Sequence, residues 1–192
     1  MAKNEPKEVR VNGIIQAAIE EFIEKGYDGA SMDQIAKRAG VSKGGVYYHF
    51  PNKEVLLMMA NEKISEPVIV MMEKAMKNTS PIEGLREYIK EYIFYWGARP
   101  VELSFIFLSM AKALQQPVLM EYYKEYTTQA TEFYVGMFAM AVEAKELEIE
   151  DVEAYGISLM GALDGLVTYT ITCPEYDIEA QAERFSSIWI RG

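Results

Sequence analysis

Apolar residues recur every three or four positions along almost all of this 192-residue chain, and strict alternation bounded by paired turn signals is missing. Strand side chains repeat every two residues, so a sheet would scatter this pattern over both of its faces. The chain is therefore expected to be all-α. Half of its residues are apolar, which is enough to bury a substantial core.

Capping and breaking residues divide the pattern. Val11, Ile14, Ile15, Ala18, Phe22 and Ile23 mark one face of a first helix that stops at Gly26, with Lys25 well placed in its last turn. Ser31 with Gln34 forms a capping box for a short helix carrying Met32, Ile35, Ala36 and Ala39, closed by Gly40. Ser42 caps another short helix through Phe50, which Pro51 and Asn52 end. Two short helices joined by a glycine-containing turn make a helix-turn-helix. Further helices are predicted from Lys53 to Lys77, Pro81 to about Ala98, Pro100 to Leu114, Gln116 to Ala144, Glu150 to Thr172 and Ile178 to Ile190. That makes about nine, with breaks at Pro100, Pro117, Pro174 and the acidic stretch 146–151, and a kink expected at Pro67. Residues 1–52 read as a helix-turn-helix domain and 53–192 as a larger helical domain.

A net charge of −10 first argues against a nucleic-acid partner. Its distribution points the other way. Residues 1–53 hold eight Lys and Arg against seven Asp and Glu, whereas 54–192 hold eleven against twenty-two. One end can approach phosphate while the larger body is repelled by it. The first ten residues are charged and show no secretory signal, and the single Cys173 fits a reducing compartment, so the cytoplasm is expected. The stretch 133–142 is too short to span a membrane, and 155–173 carries Asp164 at its centre, so no membrane contact is expected.

A reading helix must present polar groups outward while its back holds to a core. Within 42–50, Val46 and Phe50 can face inward, leaving Lys43, Gly44, Tyr47 and Tyr48 where a groove could receive them. The pair Gly44-Gly45 is costly in a helix, about 0.8–1 kcal/mol each relative to alanine. Close approach of bare backbone to DNA would account for it, with the Ser42 hydroxyl at the helix start as a phosphate contact; a frayed, exposed first turn is the competing explanation. His49 is the only histidine and lacks local partners for metal binding or base catalysis, so a phosphate or intradomain hydrogen bond is expected of it. No catalytic residue, metal site or cofactor is expected.

The stretch Gly26-Tyr27-Asp28-Gly29-Ala30-Ser31, Ile35-Ala36, Ala39 through Gly44, Val46 through Phe50 and Lys53-Glu54 closely resembles the N-terminal domain of the TetR family of regulators. The resemblance covers about residues 10–57. It implies a three-helix DNA-binding domain, a linking helix, a C-terminal ligand-binding and dimerisation domain, and a homodimer on a palindromic double-stranded operator. Such a regulator, most often a repressor, leaves DNA when a small-molecule effector binds. Residue by residue, Lys43, Gly44, Gly45, Tyr47 and Tyr48 match base-facing and backbone-facing positions. Ser42, His49 and Lys53 match phosphate-contacting ones, and Val46 and Phe50 match the core. Asp33 stands where family members often carry a donor to DNA.

The C-terminal body is rich in aromatic and Met side chains, most of them expected in the core. The resemblance implies a ligand cavity there, for which Tyr92, Trp96, Phe107, Met110, Tyr126 and Tyr134 are the chosen lining residues. Gly161 and Gly165, four apart around Asp164, with Gly136, Ala139 and Val142, suggest a two-helix dimer face; packing within one subunit is the alternative. A buried Asp164 would need a donor. Two rivals remain: a helical enzyme, for which no acid-base or metal constellation is evident, and a protein-interaction module docking through residues 43–49.

Overall fold

The computed structural model describes residues 6–173 and 175–190. Among these there are nine α-helices and no strand: α1 (Lys7–Gly29), α2 (Met32–Arg38), α3 (Lys43–His49), α4 (Lys53–Met76), α5 (Pro81–Gly97), α6 (Pro100–Lys112), α7 (Pro117–Glu143), α8 (Val152–Thr172) and α9 (Ile178–Trp189). The all-α expectation and the helix order hold. The expected break at Pro174 lies outside the described residues.

Local chemistry sets the ends. Gly26 takes φ 69°, so α1 is kinked there before its last residues, which end at Gly29. Pro81, Pro100 and Pro117 each open a helix, where a missing N–H costs nothing. The last turn expected of α6 is instead a 3₁₀ turn over Ala113–Gln115. Pro67 lies inside α4, which continues through it from Lys53 to Met76.

The chain packs as two compact units. The first holds the described residues up to Ser65 together with Phe105–Tyr122, the second Glu66–Ser104 with the described residues from Tyr123 onward. This packing division differs from a boundary at 52/53. Leu56, Leu57 and Ala60 at the start of α4 are fully buried, and Phe105 of α6 stacks on Phe22 of α1 with ring centroids 6.0 Å apart. Asn61 of α4 accepts a hydrogen bond from the Ser109 hydroxyl of α6 at 3.0 Å, and both side chains are buried. The first unit thus needs α4 and α6 to close its core.

In the second unit α5 packs against α8 and α9, burying Leu85, Tyr88, Ile89, Ile93 and Trp96. Gly156 lets α8 lie directly on α7, since a Cβ there would sit 2.8 Å from the Val135 nitrogen. Among the described residues no helix is long and apolar enough to cross a membrane.

Candidate nucleic-acid interface

The helix-turn-helix is built from four local devices. Ser31 Oγ accepts the Gln34 N–H at 3.3 Å and Ser42 Oγ accepts the Gly45 N–H at 3.1 Å, so both helices start on a side-chain cap. Between them Gly40, at φ 67°, allows the Gly40 N–H to reach Lys37 O and the Val41 N–H to reach Ala36 O. Those two bonds form a Schellman motif and turn the chain sharply out of α2. Ile35, Ala36, Val46 and Phe50 are buried beneath the pair, with α2 packed on α1 and α3 packed on α2. Arg38 adds ion pairs to Glu20, Glu21 and Glu24 of α1, and so provides the nearly fully buried Glu21 with a countercharge.

With Val46 and Phe50 committed to the core, the rest of α3 faces outward. Tyr48 is 80% exposed and Tyr47 44%, a large fraction for aromatic rings with a core beside them. Ser42, Lys43 and Gly44 are also exposed, whereas Gly45 and His49 are half-buried. The His49 ring meets Tyr48 edge-on at 4.9 Å and also approaches Phe50. Seven of the eight expected contact residues therefore lie on one short segment.

The two glycines separate. A Cβ on Gly45 would press against the Ser42 hydroxyl at 3.3 Å, so the cap itself favours glycine there. At Gly44 a Cβ would meet nothing within 4 Å. Nothing inside the fold requires that second glycine.

Two charged residues show arrangements that local spacing does not reveal. Lys43 Nζ pairs with Asp33 Oδ1 at 2.8 Å, both side chains being well exposed. The pairing raises the Lys43 pKa above its ordinary value, the Asp33 hydrogen bond first and its charge second. The acid on α2 is thus balanced across the turn. Lys53 Nζ donates to Tyr27 O at 2.7 Å and Ala30 O at 3.0 Å and lies 4.2 Å from the Tyr27 ring centroid. Its ammonium closes the α1–α2 junction, and two of its three N–H bonds are used there. Beside it the Tyr27 hydroxyl donates to Glu54 at 2.8 Å, and burial followed by that carboxylate raises the phenol pKa.

The expected effector residues divide between the units. Tyr92, Trp96 and Tyr134 are buried and Tyr126 is half-buried in the second unit, while Phe107 and Met110 are half-buried in the first. Sequence reasoning missed Tyr88, which lies one turn before Tyr92 on α5 and bonds the Tyr134 hydroxyl at 3.0 Å. The spacing Tyr88, Tyr92, Trp96 was the available signal.

On the expected dimer face Gly161, Gly165 and Ala139 are exposed, and Gly136 and Val142 are half-buried. A Cβ on Gly136, Gly161 or Gly165 would meet nothing within 4 Å, so close packing within the subunit does not account for these glycines. Asp164 is the exception to that face. It turns inward to accept the Tyr92 hydroxyl at 2.7 Å, because one residue along a helix rotates a side chain by about 100°.

Among the described residues no group of three or more His, Cys, Asp and Glu could hold a metal ion. Residues 14–58 match the family described as bacterial regulatory proteins, tetR family. The biofilm operon icaADBC negative transcriptional regulator IcaR of Staphylococcus epidermidis is 31% identical over 105 residues, 55% of this chain and 57% of that protein. The transcriptional regulator RutR of Escherichia coli is 32% identical over 77 residues, 40% of this chain and 36% of its own length. The matches thus span little more than half of IcaR and about a third of RutR. FadR of Bacillus subtilis, solved in complex with stearoyl-CoA, shares the fold with a TM-score of 0.75 at 23% identity, covering 95% of this chain and 98% of that one. The capped, glycine-turned helix pair thus lies within the segment, residues 14–58, that is similar to the tetR family of bacterial regulatory proteins.

Proposed function

We propose that this chain is a sequence-specific DNA-binding transcriptional regulator, a repressor that leaves its operator when a small molecule binds the helical body. The observation that carries the reading is α3 itself: Val46 and Phe50 are buried while Lys43, Gly44, Tyr47 and Tyr48 stand exposed in one stretch. A helix of this size fits a major groove, and Lys43 and the two phenols supply donors toward base edges and phosphates. Ser42 and His49 flank them for backbone contacts. Lys53 serves first as the clamp of the α1–α2 junction, with one N–H left for phosphate.

The relatives support repression, since IcaR is a negative regulator, and the stearoyl-CoA complex of FadR supports a small-molecule effector. In functional terms residues 1–52 read DNA, and 53–192 bind effector and dimerise, in the cytoplasm and with no catalytic step. The open face of Gly136, Ala139, Val142, Gly161 and Gly165 would join two copies, whose reading heads then match half-sites about 34–36 Å apart or a multiple. Effector acts by binding the DNA-incompetent arrangement more tightly than the competent one.

A gel shift against fragments of the gene's own upstream region tests this. Binding to one fragment well above random DNA at about 0.1 M salt is expected, with affinity falling steeply as salt rises. A protein-docking role for residues 43–49 would instead give no preferred fragment.

A further inference from the structure

The interior of the second unit contains a buried donor that no described residue satisfies. Trp96 is 2% exposed, and its Nε1 has no hydrogen-bond partner among the described residues. A buried donor without an acceptor is costly, and native interiors seldom retain one without a use for it. Its neighbour Tyr92, with ring centroids 6.4 Å apart, leads to Asp164, whose carboxylate accepts the Tyr92 hydroxyl at 2.7 Å. Burial raises the Asp164 pKa and the Tyr92 bond opposes that rise, with no Lys, Arg or His among the groups acting on it. Around these two stand the rings of Tyr88 and Tyr134, joined through their hydroxyls at 3.0 Å.

Each feature points to the same ligand chemistry. A largely buried carboxylate lacking a cation is costly and is relieved by a positively charged donor. Aromatic faces attract cations and disfavour anions. The indole N–H needs an acceptor. We infer that the effector carries a protonated amine held by Asp164 among Tyr88, Tyr92 and Tyr134, and a neighbouring carbonyl-type acceptor that takes the Trp96 N–H. This rests on the ligand-responsive reading above and narrows it to a cationic, amide-like or ester-like class.

Isothermal titration of the full chain near pH 7 with three probes, each carrying an eight-carbon chain, tests it: octanoate, octylammonium and glycine octylamide. Octylammonium is expected to bind at least tenfold tighter than octanoate, and glycine octylamide tighter still. Asp164→Asn should erase the preference for the cation to within about threefold, while Tyr92→Phe, which keeps the carboxylate, should retain it. Trp96→Phe should remove only the added gain of the amide. Octanoate binding as tightly as octylammonium, no binding by any probe, or an Asp164→Asn chain that keeps the preference would overturn the inference. Operator release, followed separately, tests the underlying reading: a cation that binds selectively without releasing DNA contradicts the effector role and leaves the site intact.

Discussion

At Gly44 helix stability and exposure oppose each other. Glycine in a helix is about 0.8–1 kcal/mol worse than alanine, and the open space around this one shows no packing reason for it. Gly44→Ala is therefore expected to raise thermal stability modestly while lowering operator affinity at least tenfold, measured by thermal denaturation and anisotropy on the same preparation. Unchanged affinity would remove Gly44 from the contact surface. Asp33 acts in the other direction, since it holds Lys43 and opposes phosphate. Asp33→Asn should tighten binding to every duplex and steepen the salt dependence by up to about one unit, at some loss of discrimination. Gly45 and Lys53 show where spacing alone falls short. The capping hydroxyl accounts for one glycine, and the carbonyls that hold Lys53 lie more than twenty residues upstream, beyond any local pattern.

Among the elements, legibility followed the physics of helix ends. Ser31, Ser42, Gly40 and the opening prolines announce themselves because capping and turning use side chains within four residues. The last turn of α6 was not legible, because tightening to a 3₁₀ turn leaves the apolar period almost unchanged. Helix α7 ends on a second Schellman motif, with the Lys145 N–H to Val142 O and the Glu146 N–H to Ala141 O. Here the left-handed position is filled by Lys145 at φ 60° rather than by glycine. Lys145→Gly should accordingly stabilise the chain by about 0.5–1 kcal/mol in a denaturant titration, with DNA binding untouched. A loss of stability would mean that the lysine side chain contributes more than its backbone strain costs.

For the whole molecule, the acidic excess of residues 54–192 and the near balance of 1–53 would favour approach of DNA to α3 rather than to the larger body. Small residues at helical spacing are the basis on which a two-helix dimer face is proposed, but the inward turn of Asp164 was not readable, since its Tyr92 partner lies 72 positions away. Gly161→Glu should leave the helical content intact, because nothing within the subunit occupies that space, and should shift sedimentation toward the monomer with weaker operator binding. If α3 reads sequence, that shows in the ratio of affinities for the upstream operator and random duplex, measured by anisotropy at about 0.1 M salt for the unaltered chain and for Tyr47→Ala. A ratio of about 10³ or more is expected, falling at least tenfold in Tyr47→Ala. A ratio near one, or one that the substitution leaves unchanged, would contradict it.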